Sequence, residues 1–383
     1  MKQETRRVTN YGRAFLKGIQ RNNLPGIMKL FYPLMIFIAC CSEPHLLSVE
    51  IAKWRDNHQA AISINADLGG ILSPTFLDCA KLVIERKMSM DIEIVTANYE
   101  KRKDELRYLK DVLIPSGFGT FGHGHTHVNH DHLSFEKAKN SFQRCFDSMK
   151  KMELNPVAYA YPEGAGLKYE TRRALAKTCF LSGRLYCFRK KGSPFIMPEG
   201  QQQPQDWYGL PSLAMEDASV ESCGQCINNN EELIPFLDGA VKNKAWLIMT
   251  YHSIGNPKGW GFYQFEEFRK DLDAIKLRDF WNASLNDITL YTFERSRVGF
   301  DLKTMTKLNR WPLNLELILN DGLENARFNI PLTIKIRPIG DWTGRTLSVY
   351  QEGLVVTTQC VHDTKVVLLS LLPNEKSYTV IVR

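Results

Sequence analysis

Residues 60–67 read Ala-Ala-Ile-Ser-Ile-Asn-Ala-Asp, and residues 246–252 read Trp-Leu-Ile-Met-Thr-Tyr-His. Each is an uncharged run of strand length, too short for a typical helix, and each ends on a side chain that can move a proton. A helix signal follows each run. After the first, Ser73-Pro74 supplies an N-cap and a first-turn proline for a helix to about Lys87. After the second, Tyr263–Leu277 reads as helix. The alternation continues between them. Ile92–Thr96 reads as strand and a charged helix follows to about Ile114. A glycine- and histidine-rich loop fills Gly117–Asp131. Ser134 then caps a helix whose apolar residues Phe135, Ala138, Phe142, Cys145 and Met149 keep the 3.6-residue period. Val157–Tyr161 is strand and Tyr169–Thr178 helix. Repeated βα units predict an α/β fold, a parallel sheet with helices outside. The span 60–298 has the length of a (β/α) barrel, about 250 residues.

From Phe300 the texture changes. Leu313–Leu319, Leu332–Arg337, Thr346–Gln351, Val355–Val361, Lys365–Leu371 and Tyr378–Val382 are short β-rich runs between Asn, Asp, Gly and Pro. Residues 299–383 are therefore expected as a small all-β, sandwich-like module. Residues 41–59 read as a polar linker.

Charge locates the start of the chain. Of the net +7, +6 falls in residues 1–29, and residues 30–40 carry no charge. The folded part is nearly neutral, which excludes a phosphate-backbone binder; no nucleic-acid partner is expected. Residues 1–40 instead read as a basic extension plus the apolar core of a signal peptide. Ile38-Ala39-Cys40 resembles a bacterial lipobox, with Cys40 the lipidated residue. This implies a cell-envelope lipoprotein, periplasmic or on the surface, touching membrane only through that anchor. Cys223-Gly-Gln-Cys226 has no second CxxC to complete a zinc site and reads as a loop, with a disulfide as one option in an oxidising compartment.

Five of the nine histidines fall within His123–His132. Such a cluster points to a metal. His123 and His127 stand four apart, so one helical turn would aim both at one point. Asp67 and His252, ending their strands, occupy the rim where a βα barrel builds its active site. Asp206-Trp207 reads as packing.

Taken in order, these segments resemble the polysaccharide deacetylases (carbohydrate esterase family 4, the NodB-homology family) from about Ala60 to Arg297. Ala61–Gly69 resembles the family's first motif, a strand ending in Thr-Phe-Asp-Asp-Gly. Gly117–His127 resembles the second, where two histidines four apart bind the metal. Ala158–Gly164, with Tyr161-Pro162, resembles a groove-wall segment; Trp246–His252 resembles the last motif, and Phe280-Trp281 with Tyr291 the closing segment of one subgroup. The resemblance implies a distorted, seven-stranded barrel and hydrolysis of N-acetyl or O-acetyl groups on a polysaccharide. A divalent metal, usually zinc, would be held by His123 and His127. Asp67 would act as base and His252 as acid, and Tyr161, Pro162 and Trp281 would line the groove.

Leu68 departs from the pattern where the family places its metal-binding Asp. Either Asp67 is the ligand after a one-residue shift, or His125, His130 or His132 completes the site. Ala160 also stands where the family has a groove arginine. The alternative reading is a carbohydrate-binding relative that keeps the groove without turnover.

Overall fold

The computed structural model describes residues 48–67, 70–187, 192–216, 226–306, 311–338, 341–362 and 365–383. The leader with Cys40, the Leu68-Gly69 pair and Cys223 lie outside them. In chain order the barrel part runs β1 (Ser48–Ile51), β2 (Ala60–Ala66), α1 (Pro74–Glu85), β3 (Asp91–Ile94), α2 (Thr96–Lys101), α3 (Lys103–Tyr108), β4 (Gly119–Gly122), α4 (Phe135–Lys151), β5 (Ala158–Ala160), α5 (Tyr169–Leu175), β6 (Ser182–Arg184), β7 (Leu213–Met215), β8 (Cys226–Ile227), α6 (Asn230–Lys242), β9 (Trp246–Tyr251), β10 (Ser253–Ile254), β11 (Phe262–Tyr263), α7 (Phe265–Lys276), β12 (Phe280–Asn282) and α8 (Leu285–Arg295).

The main sheet has the order β6-β5-β4-β3-β2-β9-β7-β8, with β12 beside the start of β2. Arg184 at the end of β6 bridges Leu210 just ahead of β7. The sheet thus curls back on itself, and among the described residues β2–β7 and β9 form a distorted seven-stranded barrel. Parallel strands are buried on both faces, so β2 and β9 read as unbroken apolar runs. Ser73 accepts from the Phe76 amide at 3.3 Å and caps α1 as its sequence predicts, a contact worth about 1 kcal/mol.

Strand parity sorts each residue to one of two environments. Ile62, Ile64, Ile92 and Ile94 face the surrounding helices. Ser63, Asn65, Asp91 and Phe121 face the barrel interior, where Asn65 Nδ2 donates to Asp91 Oδ2 at 3.0 Å. The interior is closed below by α8. Ser284 caps it, and its Leu285 amide donates to Asp91 Oδ2 at 2.9 Å.

The C-terminal part continues with β13 (Gly299–Thr304), β14 (Leu313–Asn320), β15 (Leu332–Arg337), β16 (Thr346–Gln351), β17 (Leu354–Cys360), β18 (Val367–Leu371) and β19 (Asn374–Val382). Its two sheets have the orders β13-β14-β19-β16-β17 and β1-β15-β18. The second differs from expectation: β1, from the stretch read as linker, is an antiparallel edge strand of the module. The module's core merges with the underside of the barrel. Tyr291 on α8 donates to the Ala52 carbonyl, and the Trp54 indole donates to the Lys244 carbonyl just before β9. The module therefore sits at the end of the barrel opposite Asp67. No helix among the described residues is long and apolar enough to cross a membrane.

Candidate active site

Inward parity, carried to the C-terminal rim, places a polar residue at the top of six strands. Asp67 follows β2, Glu93 is on β3, His123 follows β4, Arg184 ends β6, Glu216 follows β7 and His252 follows β9. Asp67, Glu93, His123 and His252 line a cleft of about 1100 Å³ together with His127, Tyr161, Tyr186 and Trp260, and Arg184 and Glu216 are buried beside it.

Glu93, His123 and Asp67 form the centre, with one potential ligand atom from each lying within 4.8 Å of the others. Glu93 Oε2 stands 3.4 Å from His123 Nε2. His123 Nδ1 donates to the Ala160 carbonyl at 3.0 Å. That bond fixes the tautomer and leaves the Nε2 lone pair facing the cleft, the arrangement found behind metal-binding imidazoles. Burial pushes the His123 imidazole down to about 3, against the pull of Asp67, so the ring is neutral. His127 stands beside His123 but outside that group, half exposed, with its Nδ1 3.9 Å from Glu163 Oε1. Gly124 turns the chain at φ 84° and His127 itself adopts φ 53°, which brings its ring centroid 4.9 Å from that of His123. Two carboxylates and one imidazole, with the His127 ring beside them, are a donor set suited to a divalent metal.

Arg184 separates the two carboxylates. Its Nη2 donates to both Asp67 oxygens, at 2.7 and 2.8 Å, and its own side chain is only 1% exposed. Burial alone would raise the Asp67 carboxyl, but Arg184, His123 and His252 overcome that and hold it at about 2. Asp67 is ionised and clamped by a cation, while Glu93 meets His123. Arg184 is also the register partner of Ala160 across the β5–β6 pair. The cation absent at 160 is supplied one strand over.

His252 Nε2 lies 3.7 Å from Asp67 Oδ2, and Nδ1 lies 4.0 Å from Glu216 Oε2. Burial lowers the imidazole to about 4 despite Asp67.

Several expected residues fall elsewhere. His125 is turned away, its Nδ1 at 2.8 Å from Thr96 Oγ1. His130 stacks on Phe142 and bonds Ser141. Neither reaches the centre, because each completes a buried contact that anchors the loop; His132 lines the cleft wall. Tyr161 lines the cleft, while Pro162 is buried and is not among the lining residues. Trp281 is not in the groove. On β12 it pairs with Ala61, at the opposite end of β2 from Asp67, and packs on Tyr291. Asp206 pairs with Arg172, and Trp207 packs on Phe293. Cys226 lies 3.1 Å from Glu216 Oε1.

Sequence reading does not single out Glu93, Arg184 or Glu216. One signal was available: Glu93 is an acid between Ile92 and Ile94, two residues after Asp91, in a strand whose four residues are all buried.

Fold and rim together define a distorted (β/α) barrel with a carboxylate–imidazole centre at the C-terminal ends of its strands. No protein-family model matches the chain, and no curated protein matches it. Among solved structures it is similar to a protein named as a polysaccharide deacetylase from Mycobacterium smegmatis, at 14% identity over 63% of this chain and 92% of that one, TM-score 0.44. Another so named, from Pseudomonas aeruginosa, is 12% identical over 62% and 92%, TM-score 0.45. A family 4 carbohydrate esterase pseudoenzyme from Bacillus anthracis is 9% identical over 60% and 66%, TM-score 0.37.

Proposed function

We propose that the chain is a metal-dependent hydrolase that removes acetyl groups from a polysaccharide. The observation that carries this is the division of labour between the carboxylates: Arg184 clamps Asp67 while Glu93 faces His123. On this reading Glu93, His123 and His127 hold the metal, and Glu93 replaces the carboxylate that Leu68 cannot provide. Asp67 remains the base. The ion, zinc in most such sites, would polarise the acetyl carbonyl and acidify a water.

The remaining steps belong to the chain. Asp67, ionised and oriented by Arg184, takes the water's proton. His252, with its Nε2 3.7 Å from that carboxylate, relays the proton to the departing nitrogen or oxygen. An amide needs that delivery, because an unprotonated amine anion is a very poor leaving group. The same reading puts the mature chain on a bacterial envelope through Cys40; Cys40→Ser should move it from the membrane to the soluble fraction.

The test is metal content of the purified protein together with acetate release from acetylated chitooligosaccharides and acetylated xylan. One divalent ion per chain and stoichiometric acetate are expected. Glycan binding with no acetate released from any substrate would replace the hydrolase by the binding-protein reading.

A further inference from the structure

We propose that Trp260 is the sugar platform of the cleft, receiving the apolar face of the pyranose whose acetyl group lies against the catalytic centre. The inference rests on the function proposed above and adds to it the residue that seats the sugar ring. Trp260 is 56% exposed, although Tyr186 beside it is buried. A single exposed aromatic means little by itself. This one stands in the cleft wall with its ring centroid 4.4 Å from His252 and 5.8 Å from Tyr186.

The turn that carries Trp260 is built to hold it there. β10 and β11 pair on either side of it. Gly261 adopts φ 64°, and a Cβ at that position would come within 2.9 Å of Glu216 Oε2 and 3.0 Å of the His252 Cβ. A Cβ at Gly259 would meet Ser253 Oγ at 2.0 Å. Two glycines thus let the turn lie flat against the acid and present an indole beside it.

A pyranose has one face of C–H groups and a rim of hydroxyls. Stacking that face on an indole buries apolar area on both partners and sets weakly positive C–H groups against the negative ring face. The cleft is also larger than an acetyl group requires. It extends from Trp260 to Leu167 and Lys168 on the opposite wall, and its volume exceeds the usual range for small-ligand pockets. Neighbouring sugars can occupy that space once one ring is stacked.

The experiment is titration of the full chain with partially acetylated chitohexaose and with acetylated xylohexaose, by calorimetry and indole fluorescence. Trp260→Ala should weaken binding by about tenfold and raise KM far more than it lowers kcat. Trp260→Phe should recover most of the loss, which a merely structural role would not predict. Trp311→Ala, at an exposed indole on the distant β module, should bind as wild type. Equal affinity for Trp260→Ala and wild type overturns the platform and leaves the hydrolase reading standing. A wild type that binds neither oligosaccharide, yet cleaves 4-nitrophenyl acetate, overturns the platform and the glycan assignment together and keeps only the hydrolytic centre.

Discussion

Asp91 and Glu93 stand two residues apart on β3, with side chains on the same inward face, at opposite ends of the barrel. At the closed lower end Asp91 is fully enclosed, holding the Asn65 amide and the first backbone N–H of α8. Burial pushes its carboxyl well above the usual range. At the open rim Glu93 faces an imidazole and a cleft. The same residue class on the same strand is a structural bolt in one place and, in the proposed function, a metal ligand in the other. What differs is the partner: fixed amide donors below, a lone pair and open space above. A buried acid is therefore not in itself a sign of function.

That contrast can be broken from the rim first. Glu93→Gln keeps size and burial but removes the anionic donor, so metal content should fall from one ion per chain to near none, and acetate release with it. Asp67→Asn should cut turnover by about 10²–10⁴-fold while metal content stays near wild type. Metal lost along with activity in Asp67→Asn would make Asp67 the ligand and put Glu93 in a supporting place.

Arg184→Met tests the clamp, since it strands a buried carboxylate without its counter-charge. A loss of about 3–5 kcal/mol in urea unfolding is expected. Adding Ala160→Arg should recover part of it, because 160 and 184 are register partners on the same inward parity. No recovery would show that the guanidinium reaches Asp67 only from β6.

The lower end should respond in stability alone. Asp91→Ala leaves the Leu285 N–H and Asn65 without their acceptor, at about 1–3 kcal/mol, with metal stoichiometry unchanged. A pH-dependent effect concerns Glu294, where α8 meets the module and accepts from the Ile330 amide. Burial pushes its carboxyl from 4.5 up to about 8. With the folded value raised, its contribution is complete below pH 4.5 and is lost as pH climbs toward 8. Tm should decline across that window, and Glu294→Gln should flatten the decline.

The chain's βα rhythm was legible because buried parallel strands and capped helices leave local marks: the run 246–251, the Ser73-Pro74 cap and the stripe on α4. Asp67 and His252 were legible because each stands just beyond the end of such a strand; His123 was picked out from the histidine cluster, and β4, which it follows, lies in a stretch read as loop. Glu93 and Arg184 were not, since both lie in strands of three or four residues whose facing is set by pairing partners far away in sequence. The histidine spacing was read through the wrong geometry: the pair meets through a left-handed turn, not a helical one. Trp281 misled for a related reason, as nothing local says which end of the barrel β12 joins.

The pairing of β1 with β15 has a consequence for how the chain is made. Glu50 and Arg337, joined across that pair, are 287 positions apart. At roughly 5–20 residues per second of synthesis, β1 leaves the ribosome about 15–60 seconds before its partner exists. During that interval the barrel can assemble behind it, but a strand with an open edge trails from its start. A chain truncated anywhere before residue 332 would carry that edge permanently, so nascent or prematurely ended copies should be the aggregating species, and a holdase that masks residues 48–51 should suppress them.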